Sequence, residues 1–80
     1  MKKRVISLSE LNKNTPSVIC GLRFDHKKNK RMAELGLTEG TVVTIVKRSP
    51  FFFPVALRFR GYELCLSKSE CDKISVEVNK

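Results

Sequence analysis

Six side chains of the sequence are the candidates for holding a metal ion: Asp25, His26, Asp72 and the three cysteines Cys20, Cys65 and Cys71. Structural zinc sites usually take their ligands in close pairs, such as two cysteines separated by two to four residues. The cysteines of this chain are not spaced in that way. An odd number of cysteines without paired spacing is typical of reduced, buried thiols. We therefore predict no metal site and no cofactor, with Cys20 and Cys65 buried beside apolar neighbours and Cys71 also facing inward.

The residues needed for catalysis are also not grouped. His26 is the single histidine and lies among lysines, and no close pair of carboxylates offers an acid and a base. The stretch from Gly36 to Thr41 is similar to a phosphate-binding loop, but it has three residues between its glycines and lacks the lysine. The sequence therefore predicts a protein that is not an enzyme.

The stretch Ser49–Pro54 reads SPFFFP and contains three of the six aromatic residues, Phe51, Phe52 and Phe53. A strand buried on one face would alternate apolar and polar residues, and the prolines at both sides would interrupt strand pairing. We therefore place these rings in a surface loop. Two interpretations stay open: the rings are a contact surface for a partner or a second copy, or they fold over the end of the core and complete it.

The predicted elements around this loop are mainly β. Runs rich in β-branched or alternating apolar residues predict about five short strands, at Ser17–Phe24, Thr41–Lys47, Pro54–Arg60, Tyr62–Leu66 and Ile74–Val78. Short strands of this number usually close into a small barrel, which removes exposed sheet edges. We expect residues 1–80 to form one domain of this kind.

One short α-helix and two helical turns complete the prediction. Asp25 is suited to cap the helix and Gly36 to end it, with Met32 and Leu35 facing the core. Capping-box patterns at Ser7–Glu10 and Ser67–Glu70 predict the two helical turns.

The net charge of +8, from sixteen Lys and Arg against eight Asp and Glu, favours an anionic partner. Arg58 and Arg60 alternate with Phe59, so they predict a basic strand face that is either a contact surface, extended by Lys47 and Arg48, or an ordinary solvated face. The cluster at Lys27–Arg31 is interpreted as a solvated helix face with Arg31 near a partner.

A basic small barrel also suits single-stranded nucleic acid, but Phe59 points away from the basic side chains. No apolar run reaches the 18 to 20 residues needed to cross a bilayer, which indicates a cytoplasmic protein.

Three segments of the sequence carry a resemblance to the FeoA family of bacterial ferrous iron uptake. They are LSEL at 8–11, RMAELGLTEGTVVTIVKRSP at 31–50 and RGYELCLSKSECDKISVE at 60–77. The resemblance implies an SH3-like barrel. It also implies a cytosolic, non-enzymatic accessory protein that contacts FeoB, a membrane permease with a GTP-hydrolysing domain, at that domain or at the membrane region. Such a protein would lie at the inner face of the membrane through its partner.

Two positions depart from the family pattern. Pro50–Pro54 contains three phenylalanines where the family usually has a loop similar to Pro-Leu-Gly-Asp-Pro, and Asn14 stands where a turn glycine is common. Asparagine tolerates the left-handed conformation, so the second change is mild. The first replaces a small polar tip by a bulky apolar one. The partner-binding residues proposed from the sequence are therefore Phe51, Phe52, Phe53, Arg58, Arg60 and Arg31.

Overall fold

A computed structural model describes residues 3–51 and 53–79. Six antiparallel strands form one sheet in the order β1-β6-β2-β3-β4-β5. The strands are β1 (Lys3–Ser7), β2 (Ser17–Leu22), β3 (Val42–Arg48), β4 (Val55–Phe59), β5 (Tyr62–Leu66) and β6 (Ile74–Asn79). The helices are α1 (His26–Glu34) and α2 (Lys68–Asp72), with a 3₁₀ turn at Leu8–Glu10. The mainly β prediction is confirmed. In the described residues β1 and β5 lie at the two edges of the sheet, so the expected removal of exposed edges is not complete.

Strand β3 joins the two halves of the sheet. Its first residues, Val42 and Val43, pair with β2, whereas Thr44–Arg48 pair with β4. The register shifts between Ile45 and Lys47, as at a β-bulge, which bends a strand and increases its twist. The two halves therefore enclose one core, whose fully buried side chains include Leu8, Ile19, Leu37, Val43, Ile45, Val55, Leu57, Leu66, Ile74 and Val76.

The helix α1 begins and ends where the sequence predicts. The carboxylate of Asp25 accepts a hydrogen bond of 2.8 Å from the backbone N–H of Lys28. At the other end Gly36 has a φ of +96°, and the N–H of Leu37 donates to the carbonyl of Met32 at 2.9 Å. This is the Schellman pattern, in which a left-handed residue ends the helix and the next residue packs back on it. Leu37 is fully buried.

The short helix α2 is fixed by a complete capping box. The hydroxyl of Ser67 accepts from the N–H of Glu70 at 3.3 Å, and the carboxylate of Glu70 accepts from the N–H of Ser67 at 2.9 Å. Glu70 also pairs with Lys28 of α1 at 2.9 Å, so the two helices are tied together. No helix in the described part of the chain is long and apolar enough to span a membrane.

Three sequence predictions are wrong in detail. Residues Lys3–Ser7 form a sixth strand, because β6 offers its edge to a segment whose own pattern is too charged to predict a strand. Leu35 does not face the core and is 48% exposed, because it is the last residue before the chain turns at Gly36. Cys65 is exposed and Cys20 is half-buried, because both alternate with the residues that face the core; Cys71 is buried, as predicted.

Candidate functional site

The loop between β3 and β4 is organised by Ser49. Its hydroxyl donates to the carbonyl of Phe53 at 2.6 Å and accepts from the N–H of Phe51 at 3.3 Å. The N–H of Ser49 donates to the carbonyl of Pro54 at 3.3 Å, which closes the base of the loop. The prediction that the phenylalanines lie in a connecting loop is therefore confirmed for the two that the structure describes.

The two described rings of this loop have different environments. Phe51 is 87% exposed, whereas Phe53 is half-buried and packs against the core. The guanidinium of Arg48 lies over the ring of Phe53 at 5.7 Å from its centroid, and the same side chain donates a hydrogen bond to the carbonyl of Leu11. Phe52 lies outside the described residues. The exposed ring of Phe51 thus fits the contact-surface interpretation, and the ring of Phe53 fits the interpretation that the run completes the core.

The basic face of β4 contains an ion pair. Arg58 and Glu63 are directly opposite on β4 and β5, and the guanidinium of Arg58 lies 2.7 Å from a carboxylate oxygen of Glu63. The hydrogen bond from Arg58 lowers the pKa of the Glu63 carboxyl, with a smaller contribution from the charge of Lys47. Arg48, which the sequence prediction grouped with Lys47 on this face, is instead turned toward Leu11 and Phe53.

Arg60 and Arg31 both lie near the C-terminal end of α1. Arg60 and Gly61 form the two-residue turn between β4 and β5, with φ values of 49° and 82°. The side chain of Arg60 reaches the end of α1, where its Cδ would lie 3.1 Å from a Cβ on Gly36. Arg31 is exposed on α1 itself. A cation beside the carbonyl end of a helix is favourable.

The predicted partner-binding residues therefore do not form one patch. Phe51 and Phe53 precede β4, and Arg60 follows it. Since β4 has five residues, the two ends of the strand are separated by roughly 15 Å at about 3.4 Å per residue. The structure places an aromatic loop before β4, and Arg58 and Arg60 at the other end of that strand.

A groove between α1 and β5 was not predicted from the sequence, and we call it the edge groove. Its lining combines apolar side chains with a basic rim: Asp25, Lys27, Lys28, Lys30, Arg31, Met32, Glu34, Leu35, Leu64, Cys65, Leu66 and Glu70. Leu35 and Cys65, which were both predicted to be buried, are exposed and line the edge groove. Among residues 3–51 and 53–79, no three His, Cys, Asp or Glu side chains form a group that could hold a metal ion.

Comparison with solved structures gives the fold class. A FeoA-like protein from Clostridium acetobutylicum is 35% identical and superposes with a TM-score of 0.81, over 100% of this chain and 92% of that one. FeoA of Stenotrophomonas maltophilia, solved with zinc, is 27% identical with a TM-score of 0.74, over 89% of this chain and 88% of that one. That protein is described as a prokaryotic SH3 domain protein and a candidate activating factor of ferrous iron transport. The SH3-like prediction is confirmed.

A sequence relative links the fold to iron transport. It is a fusion of Fe²⁺ transport protein A with the Fe²⁺ transporter FeoB from Porphyromonas gingivalis, and it is 32% identical over 71 residues. The match covers 89% of this chain but only 8% of the fusion protein. The FeoA domain model matches residues 6–78. The chain therefore belongs to the FeoA family, whose members are associated with ferrous iron transport.

Proposed function

We propose that this chain is a non-enzymatic accessory protein of ferrous iron uptake that binds a FeoB-type permease. The observation that supports the proposal most is the fusion protein of Porphyromonas gingivalis, in which a domain similar to this chain and FeoB are parts of one polypeptide. A covalent link holds two modules at high effective concentration, which is useful when the modules contact each other. In this proposal the chain contacts a FeoB-type permease from the cytoplasmic side of the membrane.

Phe51 is the proposed anchor of that contact. Its ring is 87% exposed and is held by a loop with hydrogen bonds at its base. Burying apolar surface contributes about 25 cal/mol per Å², and exposed aromatic side chains are frequent hot spots of interfaces. Phe52 belongs to the same proposed surface. Phe53 supports it from below, because its ring packs on the core and under Arg48.

Arg58 and Arg60 near the end of β4, with Arg31 on α1, are the proposed steering surface. Arg58, Arg60 and Arg31 are exposed, and the chain carries a net charge of +8. Charges at the rim of an interface act mainly on the association rate and make it depend on salt. An acidic region of the permease, in its GTP-hydrolysing domain or beside the membrane, is the partner that this field favours. A second copy of this chain at the Phe51–Phe53 loop is the alternative contact.

A pull-down with the purified cytosolic domain of the permease from the same organism tests the proposal. We expect the domain to retain this chain at low salt and to release it at high salt. Absorbance near 260 nm of the purified chain measures bound nucleic acid, the runner-up partner. Failure of the folded chain to bind either the domain or the intact permease would overturn the proposal, as would nucleic acid that remains bound through purification.

A further inference from the structure

The edge groove has a free sheet edge along one side. Strand β5 is the last strand of the sheet and pairs only with β4 among the described residues. A free edge offers unpaired N–H and C=O groups to another extended segment. In this chain the free edge forms one side of the edge groove, because Leu64, Cys65 and Leu66 line the groove opposite α1.

The register shows which backbone groups point into the groove. Arg60 and Gly61 both have positive φ, which is the two-residue hairpin turn that makes Phe59 and Tyr62 a hydrogen-bonded pair. Hydrogen-bonded and non-hydrogen-bonded pairs alternate from there. The N–H and C=O groups of Glu63 and Cys65 therefore point away from β4. No hydrogen bond from residues 3–51 or 53–79 reaches them.

The walls of the groove are apolar with a basic rim. Leu35 is 48% exposed and Leu64 is half-buried, so both present apolar surface to solvent. The rim includes Lys27, Lys30 and Arg31, and in the described part of the chain none of these forms a salt bridge.

The acidic side chains of the groove are partly engaged within the protein. Asp25 caps α1 through the N–H of Lys28, and Glu70 is bound by Ser67 and by Lys28. Glu34 is the third acidic side chain in the lining. With four cations and three carboxylates, the lining carries a net charge of +1, and the whole chain carries a net charge of +8.

We propose that the edge groove binds an extended protein segment that mixes acidic and apolar residues and adds as a strand to β5. Its backbone pairs with Glu63 and Cys65, its apolar side chains contact Leu35 and Leu64, and its carboxylates meet Lys27, Lys30 and Arg31. A second copy of this chain is a poorer occupant, because two chains of net charge +8 repel each other. This site is separate from the Phe51 loop, and Arg31 is the residue that it shares with the proposed permease surface.

The matched variants are Cys65→Pro and Cys65→Ser. Proline removes the N–H that points into the groove but no hydrogen bond to β4, and proline is tolerated at sheet edges in this orientation. Serine keeps that N–H and a side chain of similar size. For the charge, Arg31→Glu is matched by Lys13→Glu, since Lys13 is exposed in the loop before β2 and does not line the groove.

The test is a titration with an acetylated octapeptide that alternates Glu and Val, followed by amide NMR and calorimetry. We expect saturable binding, shifts and slowed exchange at the Glu63 and Cys65 amides, and at least tenfold weaker binding by Cys65→Pro and Arg31→Glu. Cys65→Ser, Lys13→Glu and Phe51→Ser should bind as the wild type does, which separates this site from the proposed contact at the Phe51 loop.

Three results would overturn the proposal: no saturable binding, equal binding of an octapeptide that alternates Lys and Val, or bound peptide that leaves the Glu63 and Cys65 amides unprotected. The amide measurement on wild-type protein keeps the test valid if Cys65→Pro does not fold. A wild-type dimer that Cys65→Pro converts to a monomer would also overturn it, because the occupant would then be a second copy.

Discussion

Phe51 and Phe53 are two residues apart in one loop, and both are hydrogen-bonded to the hydroxyl of Ser49. The N–H of Phe51 donates to this hydroxyl, and the carbonyl of Phe53 accepts from it. Of these two rings, only that of Phe51 is exposed. Phe53 instead packs against the core beneath the guanidinium of Arg48. The loop therefore uses one aromatic ring to fix its position and presents the other to solvent. Stability and partner binding should depend on different residues of the same loop.

We predict that Phe53→Ser lowers the free energy of unfolding by about 1 to 2 kcal/mol, because it removes a half-buried ring from the edge of the core. Phe51→Ser should leave that free energy within about 0.5 kcal/mol of the wild type, because an exposed side chain makes few contacts. Urea denaturation followed by circular dichroism measures both. Equal destabilisation by the two changes would show that Phe51 also completes the core.

The conformation of Gly36 gives a second prediction. Gly36→Ala should destabilise the protein by about 1 to 2 kcal/mol, because φ is +96° and the new Cβ would lie 3.1 Å from Cδ of Arg60. Gly40→Ala is the control, since its φ of +92° is similar but nothing lies within 4 Å of the added atom. Thermal unfolding compares the two. We expect a larger loss at Gly36, and a larger loss at Gly40 would contradict the contact with Arg60.

The cysteines should differ in reactivity toward iodoacetamide at pH 8. Burial raises the pKa of the Cys71 thiol to about 11, so this group stays protonated and inaccessible in the folded protein. Cys65 is exposed on β5 and should be alkylated first. Mass spectrometry of the digested protein identifies the labelled sites, with a sample unfolded in urea as the control. Early labelling of Cys71 in the folded protein would show that α2 opens easily.

The carboxylate of Glu70 should make stability depend on pH. The N–H of Ser67, and then the ammonium of Lys28, lower its pKa below the ordinary value of 4.5. Since the folded pKa is the lower one, the contribution of Glu70 is present above about pH 4.5 and is lost as the pH falls through the folded pKa. Urea denaturation at pH 6 and pH 3 should therefore show a smaller loss on acidification for Glu70→Gln than for the wild type. An identical loss in both proteins would show that Glu70 does not contribute to the pH dependence of stability.

Local sequence signals were enough to predict most of the fold. Alternating or β-branched runs predicted five of the strands, and Asp25, Gly36 and the Ser67–Glu70 pair predicted the helix ends, because caps and turns depend on neighbouring residues. Asn14 has a φ of 65°, as expected for a residue in place of a turn glycine. Strand β1 was missed because its formation depends on pairing with β6, at the far end of the chain.

The candidate site was less predictable from the sequence, because it depends on which side chains the folded chain leaves exposed to solvent. The sequence left Phe51 and Phe53 equivalent, and only packing against the core distinguishes them. Leu35 lies three residues after Met32, and Cys65 lies between Leu64 and Leu66, so both were predicted to be buried. The end of α1 and the edge of β5 leave them exposed. The edge groove follows from those two exposures, so no local pattern could indicate it.

The most direct test of the proposed permease contact is calorimetric titration of the permease's cytosolic domain with the wild type, Phe51→Ser and Val5→Ser. Val5 is the matched control, because it is an exposed apolar side chain on β1, which β6 and β2 separate from β3 in the sheet. We predict that Phe51→Ser binds at least tenfold more weakly, while Val5→Ser binds as the wild type does. Unchanged affinity of the folded Phe51→Ser protein would contradict the account.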